Sequence, residues 1–204
     1  MIELQNICLR YNSQFLFENL DLSVPKGGKL LIRGESGSGK TSILRLILGL
    51  EQPEKGSVRI AGQTMDRSNV WSLRGKMAYV SQDMSLGQGI VEGFIKDVLR
   101  FRRNRDLHYD RAKIETLMEQ FGLEPNMLQN HLEDLSGGEL QRVAIITALL
   151  LQRPIYLLDE VTSALDQKMK ERVVDYFLSL IDTTLVIVSH DNVWHQQGIK
   201  TFQL

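Results

Sequence analysis

Residues 34–41 read GESGSGKT, and this spacing of glycines, a lysine and a threonine suits the binding of phosphate. Glycines let backbone N–H groups wrap phosphate oxygens, Lys40 can neutralise the β and γ phosphates of a nucleotide, and Thr41 offers a hydroxyl to Mg²⁺. A second candidate lies at residues 135–139, LSGGE, ahead of a long apolar helix. Ser136 suits an N-cap, and Gly137 and Gly138 expose backbone N–H groups, so this helix start can also hold an anion. Taken alone, Ser-Gly-Gly before a helix is most often only a cap. The third element is IYLLDE, an apolar run that delivers Asp159 and Glu160 at its carboxyl end. Ligands bind at that end of the strands in open α/β sheets, where one carboxylate can serve Mg²⁺ and the other water.

These residues need elements to position them. Short apolar runs bounded by Gly, Pro or polar turns predict strands at 2–9, 20–24, 29–33, 57–60, 77–81, 155–159, 185–189 and 201–204. Apolar residues spaced by three and four predict helices at 42–50, 91–103, 111–121, 139–151 and 168–181, with Asp110 as an N-cap. The phosphate-binding loop thus sits between a buried-type strand and an amphipathic helix. Strand and helix alternate at both ends of the chain, whereas residues 83–150 are mostly helical. A parallel α/β core with a helical insertion follows, because crossover helices cover both faces of a buried parallel sheet.

Composition narrows the functional classes. The chain has 204 residues, 24 Lys+Arg against 25 Asp+Glu and 43% hydrophobic residues, so it is long enough to bury a core without disulfides or metals. Its single cysteine, Cys8, cannot form an internal disulfide. The opening MIELQNICLRYNS does not read as a secretory signal, which points to the cytoplasm. The longest apolar stretch, 143–151 with Thr147 inside it, is far below the roughly 18 to 20 residues of a membrane span. A net charge of −1 gives no global field for polyanions, so nucleic acid is not expected as a partner.

Together the motifs resemble the nucleotide-binding domain of ATP-binding-cassette (ABC) proteins. GESGSGKT matches the Walker A motif, LSGGE the family signature, IYLLDE the Walker B motif and SALD the loop after it. Val188-Ser189-His190-Asp191 is similar to the switch-histidine segment, and Tyr79-Val80-Ser81-Gln82 to the glutamine loop. The resemblance implies an α/β fold: a P-loop NTPase core with a mainly parallel sheet, an N-terminal antiparallel β portion and an inserted helical subdomain. As a single nucleotide-binding domain, it would form its ATP-binding core from 1–82 and 151–204. Residues 83–150 would be the helical part carrying the signature.

Residue by residue, the resemblance implies ATP as substrate and Mg²⁺ as its metal. Gly34, Glu35, Ser36, Gly37, Ser38, Gly39, Lys40, Thr41 and Ser42 would hold the nucleotide, with Tyr11 stacked on adenine. Thr41, Gln82 and Asp159 would serve Mg²⁺, Glu160 would orient or deprotonate water, and His190 would contact the γ-phosphate. Glu160, His190, Lys40 and Gln82 form the implied catalytic set. Leu135, Ser136, Gly137, Gly138 and Glu139 would act in trans across a dimer, with Ser163 and Asp166 at the same seam. His108, His131 and His195 match no motif. Two positions depart from the commonest pattern: Val161 stands where proline is usual, and Thr147 where many members carry arginine. Neither removes a phosphate, metal or water ligand.

The implied function is the ATP-hydrolysing subunit of an ABC transporter, driving separate transmembrane permease subunits from the cytoplasmic face of the membrane, paired with a second cassette on ATP binding. The alternative is a soluble ABC ATPase acting on nucleic acid or the ribosome; a small-molecule kinase would leave LSGGE unexplained. The basic cluster Arg100, Arg102, Arg103 and Arg105 reads as a solvated helix end.

Overall fold

Local sequence patterns fold, in chain order, into β1 (Ile2–Tyr11), β2 (Gln14–Val24), β3 (Lys29–Arg33), α1 (Lys40–Ile47), β4 (Lys55–Ile60), β5 (Gln63–Thr64), α2 (Val70–Arg74) and β6 (Met77–Val80). There follow α3 (Val91–Arg100), α4 (Arg111–Gln120), α5 (Gly137–Leu150), β7 (Ile155–Asp159), α6 (Gln167–Ser179), β8 (Thr184–Val188) and β9 (Ile199–Gln203). The structure is a computed structural model that describes residues 1–11, 14–83 and 85–204. The chain divides into two compact units, Met1–Tyr79 with Arg153–Glu160 and Leu180–Leu204, and Val80–Gln152 with Val161–Ser179.

In the first unit, one sheet has the order β2-β1-β4-β5 and the other β6-β7-β8-β3-β9. The pairs β7/β8, β8/β3 and β3/β9 are parallel, while β1 pairs with β2 and β4 antiparallel. Strand and helix therefore do not alternate at the N-terminal end, where β1 and β2 are sequential neighbours of the N-terminal antiparallel β portion that the resemblance implies. Helix α1 contacts β4 of one sheet and β7 and β8 of the other. Its Ile43, Leu44, Leu46 and Ile47 are each 0% exposed. Eight residues are too few for a stable isolated helix, so burial holds α1, each such side chain contributing about 1.5–3 kcal/mol.

In the second unit α5 packs against α3 and α4. Asp110 caps α4 as its sequence predicts, its carboxylate accepting from the Lys113 N–H at 3.1 Å. Helix α6, placed by the sequence reading in the ATP-binding core, groups with these helices. The Arg172 guanidinium donates to the Gln120 carbonyl at 3.2 Å, and the Phe121 and Tyr176 rings lie 5.2 Å apart. No helix among the described residues is long and apolar enough to cross a membrane.

Candidate nucleotide site

Parallel register brings the motif residues of the first unit together. Asp159 is level with Val188, and Val188 with Ile32. The residues that follow, Glu160, Ser189 and Arg33, therefore stand at the same height on adjacent strands, the first two just past the ends of β7 and β8 and Arg33 as the last residue of β3. One step further come His190 and Gly34. Sequence-distant groups are thus gathered at the carboxyl edge of one sheet, where ligands bind in open α/β folds.

The loop from β3 to α1 is shaped by its glycines. Gly37 and Gly39 have φ of +79° and +98°, a region that favours glycine, and among the described residues no atom lies within 4 Å of a Cβ built on Gly37. At Gly39, by contrast, an added Cβ would meet the Phe17 ring at 2.6 Å. Gly39 is the N-cap of α1 and supplies no side-chain cap, so the first N–H groups of the helix stay available to an anion. Lys40 is buried, its ammonium donating to the carbonyls of Gly34 at 2.9 Å and Glu35 at 2.7 Å. The Ser38 hydroxyl is buried without a hydrogen-bond partner among the described residues. Glu35 and Ser36 are exposed on the loop, and Ser42 lies in the first turn of α1.

Beside this loop the Thr41 hydroxyl donates to Asp159 Oδ1 at 3.4 Å, and the Tyr79 hydroxyl donates to Asp159 Oδ2 at 3.2 Å. Glu160 has φ +49°, a left-handed conformation costing a non-glycine residue about 1–2 kcal/mol. Its N–H donates to the Val188 carbonyl at 2.9 Å, which holds that conformation. Burial pushes the Glu160 carboxyl above its ordinary range, opposed by the hydrogen bond from the His190 N–H and by the nearby imidazole. His190 Nε2 lies 3.6 Å from Glu160 Oε1, with the histidine side chain 60% exposed. Tyr11 ends β1 with its side chain exposed.

The other motif residues lie in the second unit. Ser136 and Glu139 form a capping box at the start of α5: the Ser136 hydroxyl accepts from the Glu139 N–H at 3.4 Å, and Glu139 Oε2 accepts from the Ser136 N–H at 2.8 Å and from the Ser136 hydroxyl at 2.6 Å. Leu135 precedes it as a buried residue. Among the described residues no atom lies within 4 Å of a Cβ built on Gly137, but on Gly138 that Cβ would stand 2.9 Å from the Ala164 carbonyl oxygen. The signature and the loop carrying Ser163 and Asp166 are therefore neighbours. Asp166 accepts from the Met169 N–H at 2.9 Å and so starts α6. Gln82 is exposed just after β6.

Two residues with no predicted role join the site. Tyr79, quoted only as part of a motif, orients Asp159. Arg33 reaches residues 190–192 through one guanidinium nitrogen. Neither has a spacing signal, because each acts across strands rather than along the chain. The departures are accommodated locally: Val161 is 0% exposed, and the buried Thr147 hydroxyl donates to the Val143 carbonyl at 2.8 Å.

A glycine loop between a parallel strand and a helix, with a carboxylate from the sheet meeting the Thr41 hydroxyl, defines a P-loop nucleotide-binding core. Residues 17–163 match the model of the ABC transporter family. The ergothioneine transport ATP-binding protein EgtV of Helicobacter pylori is 32% identical over 210 residues, an alignment that covers 100% of this chain and 97% of that protein. The Fe(3+) ions import ATP-binding protein FbpC of Serratia marcescens is 34% identical over 196 residues, covering 93% of this chain and 56% of that protein. The dimeric structure of MJ0796, a bacterial ABC transporter cassette, superposes with a TM-score of 0.82 at 26% identity, covering 100% of this chain and 94% of that one. The chain belongs to the ABC transporter family, as an ATP-hydrolysing nucleotide-binding domain.

Proposed function

We propose that this chain binds MgATP on the loop of residues 34–41 and hydrolyses it between two cassettes paired head to tail, powering a separate permease. The carrying observation is the register that sets Asp159 and Glu160 beside the phosphate loop and His190. The loop N–H groups, the start of α1 and Lys40 bind the phosphates, and the Ser38 hydroxyl supplies a further donor. Tyr11 stacks on the adenine.

The donor set fits Mg²⁺, which takes one or two protein oxygens and completes its shell with phosphates and water. Thr41 and Asp159, already in contact, would hold it, and it would neutralise charge developing on the phosphates. Glu160 accepts a proton or hydrogen bond from the attacking water, a role that a carboxylate oriented by the His190 N–H suits. His190 donates to the γ-phosphate. LSGGE of one chain, pre-shaped by the Ser136 capping box, closes on the nucleotide of the other, with Ser163 and Asp166 at the seam. The dimeric MJ0796 cassette supports this pairing.

The relatives, a transport and an import ATP-binding protein, support a permease partner. Binding to it would place the chain at the cytoplasmic face of the membrane. Phosphate release by the purified protein should require both ATP and Mg²⁺, and native protein should sediment with membranes. Recovery solely in the soluble fraction of gently lysed cells would reject the permease partner.

A further inference from the structure

The Arg33 guanidinium stands between the phosphate loop and the histidine segment. Arg33 is the last residue of β3, directly before Gly34. Its Nη2 donates to the carbonyls of His190 at 3.3 Å and Asp191 at 3.2 Å, and to the Asn192 side-chain oxygen at 3.0 Å. These acceptors come from three consecutive residues that lie beyond the end of β8. Among the described residues no carboxylate pairs with Arg33.

The two sides of His190 are thereby held by different elements. Its N–H donates to Glu160 Oε2 at 3.4 Å, from the end of β7, while its carbonyl is held by Arg33, from the end of β3. The segment is otherwise fixed by the Asp191 N–H donating to the Ser189 hydroxyl at 3.0 Å and, further on, by fully buried Trp194. Strand β3 does not need this clamp for its own place in the sheet, since β8 and β9 pair with it on both sides.

We propose that Arg33 is a positioning residue, fixing residues 190–192 so that the His190 imidazole is set for the phosphate held by the adjoining loop. The proposal rests on the assignment of His190 to the γ-phosphate. Charge-assisted bonds are stronger than neutral ones, and the planar guanidinium holds its Nη2 hydrogens in fixed directions, which the freely rotating ammonium of a lysine does not.

The test is a double-mutant cycle in steady-state ATP hydrolysis with wild type, Arg33→Met, His190→Ala and the double variant. Arg33→Met should lower kcat on the order of tenfold, within what a misplacement near 1 Å costs, and leave KM for ATP within about twofold. Arg33→Lys should recover only part of that loss. The double variant should match His190→Ala, because Arg33 acts through that residue. Independent, multiplying losses, or wild-type kcat in Arg33→Met beside an impaired His190→Ala, would overturn the proposal while leaving the role of His190 intact. Wild-type turnover in His190→Ala would remove the role of His190 and the proposal with it. If Arg33→Met does not fold, Arg33→Lys takes its place in the cycle under the same criteria.

Discussion

His190 contacts Glu160 twice: its backbone N–H donates to Glu160 Oε2 at 3.4 Å, and its imidazole Nε2 lies 3.6 Å from Oε1. The proposed base and the proposed γ-phosphate donor are thus one unit, made by the adjacency of β7 and β8. A carboxylate so placed is oriented before substrate arrives. Glu160→Gln keeps the shape and one acceptor but cannot take a proton. Its single-turnover hydrolysis at saturating ATP should fall by about 10² to 10⁴, with MgATP binding retained. Wild-type speed in this variant would show that Glu160 is not the catalytic carboxylate.

Lys40→Ala should behave differently. The ammonium is held at the loop by the Gly34 and Glu35 carbonyls, where it offsets phosphate charge in the ground state as well as in the transition state. Its loss should therefore raise the dissociation constant for a fluorescent ATP analogue in addition to slowing turnover. Equal affinity in the variant and wild type would remove Lys40 from the phosphates.

A third prediction concerns stability in the helical unit. Glu92 accepts from the Tyr109 hydroxyl at 2.6 Å, from Lys96 at 3.1 Å and from Gln129 at 3.3 Å. The Tyr109 bond, followed by that from Lys96, lowers its pKa from 4.5 to about 2. A carboxyl with a depressed folded-state pKa contributes stability that is fully present above its unfolded value and lost as pH falls through the folded one. Glu92→Gln should accordingly unfold more easily than wild type at pH 7. The gap should narrow between pH 4.5 and 2, as read by denaturant titrations across that range. A gap independent of pH would assign the effect to packing rather than to charge.

Motif chemistry was legible because its residues act through spacing along the chain: the glycines, Lys40 and Thr41 are neighbours, and Ser136 and Glu139 are one helical turn apart. Arg33 and Tyr79 left no such trace, because their partners lie across the sheet. The early part of β2 was also hidden. Asn19 sits at φ +55°, and the β1/β2 register shifts nearby, which breaks the alternation that marks a strand. Strand β5, with two residues, and α2, with five, are too short to show a period. The grouping of α6 depends on Arg172, Tyr176 and Met169, whose partners in α4 and the turn after it are distant in sequence.

The last prediction is that hydrolysis requires two chains. Each chain carries two helix starts suited to anions, one after Gly39 and one at Ser136. A twofold arrangement places the Ser136 helix of each chain over the phosphates held by the other, and symmetry then yields two equivalent sites. Mixing Lys40→Ala with Ser136→Arg tests this, since one site of the mixed dimer carries both defects and the other neither. Loss of the Ser136 cap costs about 1 kcal/mol, so Ser136→Ala serves as the control for folding. With each variant inactive alone, recovery of activity on mixing should appear if one intact site suffices. Sedimentation gives the readout that does not depend on how the sites fire. Glu160→Gln protein should run as a monomer without nucleotide and as a dimer with saturating MgATP, because bound but uncleaved ATP bridges the two chains. A strictly monomeric species with ATP, at tens of micromolar protein, would exclude autonomous ATP-driven dimerisation and leave pairing to the permease.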